Sequence, residues 1–154
     1  MTTENKEAAP MIDVSGLYKS YGSTPVLNGC DLAIRRGEVA VICGPSGSGK
    51  STLIKCFNGL ESFQRGSVRV DGVDVGAAAA NLNDLRSRVG MVFQHFELYP
   101  HLSVLDNLCL APVKVLGRTR EAAHDKACEL LARVGLPGKI DAYPAQLSGG
   151  QQQR

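Results

Sequence analysis

The sequence predicts an α/β fold, and three observations predict it. A short apolar run rich in β-branched residues, 39–43, leads directly into a glycine-rich loop, 44–52, and then into apolar residues at helical spacing over 53–60. Two strand-like segments precede this strand–loop–helix unit. A long stretch after it carries helical periodicity and no strand. The order implies a buried parallel-strand core, an antiparallel β-subdomain ahead of it and a helical insert behind it.

Taken in order, residues 1–10 are polar, carry Glu4, Lys6 and Glu7, and end at Pro10. They lack the apolar centre of a signal peptide and predict a disordered tail. Residues 11–18 alternate as a strand does. Residues 19–25, with Gly22 and Pro25, predict a turn, and 26–34 a second strand. Residues 35–38 predict a tight turn into 39–43, a run apolar enough to be a parallel strand buried on both faces. Gly59 marks the end of the helix over 53–60. Residues 66–72 predict a hairpin strand with its turn at Asp71 and Gly72. Residues 77–80 are a small-residue connector, and 81–88 predict a short helix. Residues 89–93 predict a second buried strand ending at Gln94. Ser103 caps a helix from Val104 to about Val115. Thr119 caps a longer one from Arg120 to Val134, stopped by Gly135. Leu130, Leu131 and Val134 give that helix an apolar stripe.

Residues 44–52 fit G-x-x-x-x-G-K-[ST], the pattern of a phosphate-binding loop. A polyphosphate needs many donors and positive charge in a small volume. Gly44, Gly47 and Gly49 let the backbone curl, so the N–H groups of residues 47–52, among them Ser46's neighbours Gly47 and Ser48, turn inward at a helix N-terminus. Lys50 brings an ammonium to the β- and γ-phosphates. The Ser51 hydroxyl is a ligand for Mg²⁺, with Thr52 completing the loop. The plainer alternative is a Gly/Ser-rich surface turn that contains a lysine.

The 154 residues suffice for one domain with a core. Seventeen Lys and Arg against fifteen Asp and Glu give a net charge of +2, so no strong pull toward nucleic acid or a membrane surface is implied. No run approaches the length of a membrane span. Cys30, Cys43, Cys56, Cys109 and Cys128 include no C-x-x-C pair, and their number is odd, which disfavours metal-site and disulfide-framework readings. Cys43 and Cys56 read as small buried hydrophobes, and a reducing cytosol fits.

Outside the loop, three features are candidates for function. Gln94 follows a predicted parallel strand, where α/β folds place ligands; it could reach a metal or an attacking water, or be an ordinary strand-end glutamine. His95 and His101 beside it read as surface residues. Tyr21, in the first turn, could stack on a planar base, although composition alone favours a half-buried turn tyrosine. Ser148, Gly149 and Gly150, followed by helix-forming Gln151–Gln153, read as a helix N-terminus with free N–H groups or as a simple linker.

Together, the loop at 44–52, Gln94 after a strand, the helical region and Leu147-Ser148-Gly149-Gly150-Gln151 resemble an ABC transporter ATPase subunit. The last segment is similar to the signature motif of that family. Residues 85–98 and 100–103 resemble the polar amino-acid importers, and 41–44 and 113–116 their glutamate/aspartate members. The resemblance covers residues 11–154, with a helical insert at about 103–147. It implies that Tyr21 stacks on the adenine of ATP. It implies that Gln94 contacts Mg²⁺ or water and senses a membrane partner. It also implies that Ser148, Gly149 and Gln151 donate to the γ-phosphate of ATP held by a second, identical subunit, with Gly150 allowing close approach. Two membrane permease subunits would dock near residues 94–101, on the cytoplasmic face of the cell membrane.

The family pattern continues beyond the signature into a strand ending in Asp-Glu and then a switch histidine. These positions have no counterpart here. The expectation is therefore a nucleotide-binding domain without the C-terminal part of its fold. Its function is that of an ATP-hydrolysing importer subunit by descent, with a nucleotide-binding fragment that does not turn over as the alternative.

Overall fold

The computed structural model describes residues 9–154. The tail expected over 1–10 falls, for residues 1–8, outside the described residues. The chain divides into two compact units, up to Val89 and from Gly90 onward.

The first unit is built on an antiparallel sheet. Strand β1 (Ile12–Tyr21) pairs with β2 (Thr24–Ile34), and on its other edge with β3 (Arg65–Val70), which turns into the short β4 (Val73–Asp74). The order is β2-β1-β3-β4. The hairpin predicted at Asp71 and Gly72 forms with both residues at positive φ, 49° and 77°, as a two-residue turn of this hand requires. Helix α1 (Lys50–Phe57) and helix α2 (Leu82–Arg88, capped by the Asn81 side chain) complete the unit. Alternation along the strands, broken in β1 by a register shift between Val14 and Leu17 that turns both inward, places Val14, Leu17, Leu27, Val68 and Val70 in one core with Leu53, Cys56 and Phe57 of α1 and Leu85 of α2. The Asp71 carboxylate receives Arg36, at 3.4 Å, and Arg88, which also pairs with Asp84.

In the second unit, α3 (Val104–Lys114) and α4 (Arg120–Arg133) start where the sequence placed them. Ser103 Oγ accepts from Asp106 N–H at 3.1 Å, and Thr119 Oγ1 from Ala122 N–H at 3.2 Å. Gly135 takes φ 73° beyond α4. Two single 3₁₀ turns, Pro137–Lys139 and Pro144–Gln146, lead to α5 (Gly149–Gln153). Val104, Leu131 and Leu136 form one small core and Cys109, Ala123 and Ala127 another. Of the stripe predicted on α4, Leu131 is buried while Leu130 stays exposed.

Two expectations fail. Residues 39–43 and 89–93 are not strands. Val39 is 91%, Val41 79% and Val92 80% exposed. Cys43 is exposed as well, and only Cys56 is the buried thiol expected of it. The reason is physical. A strand exists through its neighbour's hydrogen bonds, and among the described residues none offers a ladder to either run.

Candidate functional site

The loop before α1 folds around its own lysine. Lys50 Nζ donates to Gly44 O at 2.8 Å, to Pro45 O at 2.6 Å and to Ser48 Oγ at 3.3 Å. Its ammonium is thus held within the ring of residues 44–50. Ser48 N–H closes the ring onto Pro45 O, and Leu53 N–H opens the helical ladder onto Gly49 O. Gly49 is the N-cap, left-handed at φ 88°, and supplies no capping side chain. The first N–H groups of α1 are therefore left to whatever the loop receives, with the helix dipole's positive end behind them. Ser46, Gly47, Ser48 and Ser51 are exposed and Thr52 half-buried. The exposed Ser51 hydroxyl is a hard oxygen donor of the kind taken by Mg²⁺, which keeps most of its waters and takes few protein ligands beside phosphate oxygens.

Gly49 also explains how the loop is seated. A Cβ there would lie 2.9 Å from Val26 O and 3.0 Å from Leu27 Cδ2. The absence of a side chain lets the loop rest on β2, the strand that follows Tyr21. Tyr21 ends β1 opposite Thr24, with its ring half-exposed at 48%. The structure thus brings the Tyr21 hairpin and the phosphate loop together in one unit.

Lys19, two positions earlier on β1, is buried, with Nζ 4.7 Å from the Tyr21 ring centroid and 3.3 Å from Glu61 Oε2. The Glu61 carboxyl titrates below its ordinary range. The first cause is a hydrogen bond from the Tyr21 hydroxyl; Lys19 adds to it, and burial opposes it. Burial pushes the Cys56 thiol up. Lys19 and Glu61 were missed in the sequence. The alternation of β1 was the available signal for Lys19, and nothing marked Glu61.

Gln94 and residues 148–151 lie in the second unit. Gln94 is exposed on a turn, and Phe96 and Glu97 after it take positive φ, 32° and 53°, a costly conformation for residues with side chains. His95 and His101 are exposed. One unforeseen side chain holds the following segment. Asn107 Oδ1 accepts from Tyr99 N–H at 2.8 Å, while its Nδ2 reaches the carbonyls of Tyr99, Leu102 and Ser103 at 3.2, 3.1 and 2.9 Å.

The Ser148 segment forms a capping box. Ser148 Oγ accepts from Gln151 N–H at 3.3 Å, and Gln151 Oε1 accepts from Ser148 N–H at 2.9 Å. The Ser148 hydroxyl keeps its proton to donate, and the N–H groups of Gly149 and Gly150 precede the first intrahelical donor. Gln151, expected to donate as well, has its backbone N–H and its side-chain Oε1 committed to the cap; its side-chain NH₂ is the donor left to it. Gly149 lies close to Phe96, where a Cβ would come within 3.8 Å of the ring. Among the described residues no three His, Cys, Asp or Glu side chains gather as a metal site, and no helix is long and apolar enough to cross a membrane.

The glutamate/aspartate import ATP-binding protein GltL of Escherichia coli K12 is 58% identical over 144 residues, covering 94% of this chain and 60% of that protein. The glutamine transport ATP-binding protein GlnQ of Bacillus subtilis 168 is 53% identical, with the same coverage. The chain thus spans about 60% of the length of the curated relatives it matches. The post-hydrolysis dimer of the ATP-binding cassette MJ0796, bound to ADP and Pi, superimposes with a TM-score of 0.84 at 34% identity, over 92% of this chain and 65% of that one. The fold is that of an ABC ATPase, including its antiparallel β-subdomain. A family model described as ABC transporter matches residues 27–154, a span that takes in the Lys50 loop, the Gln94 turn and the Ser148 cap, and the chain belongs to that family.

Proposed function

We propose that residues 11–154 are the first part of a nucleotide-binding domain, with the helical insert at about 103–147, and that this domain powers import of polar amino acids, the acidic ones first. The observation that carries the reading is the Lys50 ammonium held inside a glycine loop at an uncapped helix N-terminus. Such a site is built for a polyphosphate. Incoming phosphate oxygens replace the carbonyls of Gly44 and Pro45 as partners of Lys50, exchanging neutral acceptors for charged ones. The N–H groups of residues 47–52, with Gly44, Ser46 and Ser48 shaping the loop, cradle the phosphates. Ser51 is the side chain of this loop that would hold Mg²⁺, which supplies neutralisation of phosphate charge. Tyr21 takes the adenine. The relatives named above are ATP-binding proteins of glutamate/aspartate import and of glutamine transport, which supports the substrate class.

The cassette it superimposes on is a dimer. In a dimer of this protein, Ser148, Gly149, Gly150 and Gln151 would face the nucleotide of the partner subunit. Closure then follows from contacts made only when ATP bridges both chains, and Gln94 orients the attacking water. Two permease subunits would dock near residues 94–101 at the cytoplasmic membrane surface and convert closure into transport.

Calorimetric titration with Mg²⁺-ATP tests the reading. Lys50→Ala is expected to weaken binding roughly ten- to a hundredfold, the loss of one charge-assisted contact. Unchanged affinity would remove the phosphate-loop assignment. A second reading, nucleotide binding without turnover, is favoured by the runs at 39–43 and 89–93, neither of which forms a strand. Lys50-dependent phosphate release by the 154-residue chain would exclude it.

A further inference from the structure

We propose that Lys19 and Glu61 are positioning residues for the purine base: an ion pair, its lysine buried and its glutamate half-buried, that clamps the Tyr21 ring and ties its placement to the phosphate-loop helix. The proposal rests on the reading of Tyr21 as the adenine platform and assigns the groups that make it one.

Lys19 is 5% exposed. A buried ammonium is costly unless it is paired, and here it has two partners: Glu61 Oε2 at 3.3 Å and the face of the Tyr21 ring at 4.7 Å. A cation over one face leaves the other for a planar ligand and restricts how the ring can swing about χ1. The Tyr21 hydroxyl also favours the ionised form of the same carboxylate, the form that pairs with Lys19.

Glu61 is itself fixed. It lies just beyond α1, where its N–H and that of Leu60 both donate to Lys55 O. Gln64 then stitches this loop to β1. Its N–H donates to Tyr18 O, its Nε2 to Ser20 O at 3.2 Å, and its Oε1 accepts from Ser20 N–H at 2.9 Å. A continuous set of bonds therefore runs from α1, whose first residue is Lys50, through Glu61 and Lys19 to Tyr21. Phosphate recognition and base recognition share one frame. Ordering the ring before the base arrives lowers the entropy cost of stacking.

The test is calorimetry on the full chain with Mg²⁺-ATP and, separately, with inorganic tripolyphosphate, which has no base. Lys19→Met removes the cation and keeps most of the stem. It is expected to weaken ATP about three- to tenfold while tripolyphosphate is unchanged. The double variant Lys19→Met/Glu61→Gln, which leaves no unpaired carboxylate, should show the same selective loss, and Lys19→Arg should restore ATP. Parallel loss of both ligands would mean that the pair only supports the fold, and no loss of either would mean that it does not hold the ring; each overturns the proposal. Tyr21→Ala separates the two layers. If it weakens ATP and Lys19→Met does not, the platform stands and the positioning role falls. If Tyr21→Ala leaves ATP unchanged, the platform reading fails and the proposal with it.

Discussion

Glu61 shows how one carboxylate reports on its neighbours. Its ionised form is favoured in the fold by the Tyr21 hydroxyl first and by Lys19 next. A depressed carboxyl stabilises the fold above its unfolded pKa, and that contribution is lost as pH falls through the lower folded value. Wild type should therefore lose thermal stability more steeply than Glu61→Gln below the ordinary glutamate range, with the two curves parallel at neutral pH. Curves parallel throughout would mean that the carboxylate is indifferent to folding. At this scale the sequence was legible where chemistry is local. Lys50, Ser51 and the three loop glycines announce themselves by spacing. The partners of Tyr21 do not, because Lys19 and Glu61 meet only after β1 and the end of α1 have been brought side by side.

Among elements, α3 and α4 were read with their starts, because Ser103 and Thr119 cap them through their own side chains. Asn81 and Ser148 cap α2 and α5 in the same way, the first unforeseen as a cap and the second read as one of two alternatives. The strands divide differently. β1 and β2 are adjacent in sequence and their pairing follows from the short turn. β3 reaches β1 from beyond α1, and that pairing was not foreseen. Runs 39–43 and 89–93 have strand composition without a ladder, since composition belongs to one segment and a strand to two. The segment after Gln94 is held by Asn107, which no periodicity marks. Asn107→Ala removes an acceptor for Tyr99 N–H and the donor to three carbonyls. It should cost about 1–3 kcal/mol in chemical denaturation. Amide exchange at Tyr99 should accelerate; unaltered exchange there would show that the loop is held by other contacts.

For the molecule as a whole, the exposed valines matter most. Val39 and Val41 are exposed in a run that belongs to no strand, an apolar surface open to another chain. The 154-residue chain is expected to bind anilinonaphthalene sulfonate and to scatter light increasingly with concentration. Val41→Lys should reduce both, and a monodisperse chain that ignores the dye would mean these residues are covered in solution. The Asp71 turn bears on the same runs. Arg36 precedes the first run and Arg88 the second, and both end on that one carboxylate. The origins of two segments far apart in sequence are thus tethered by exposed charges, whose attraction fades as the Debye length shrinks from ~10 Å at 0.1 M salt to ~3 Å at 1 M. Ionic strength therefore acts on both tethers together, so brine loosens the entries to residues 39–43 and 89–93 in a single step.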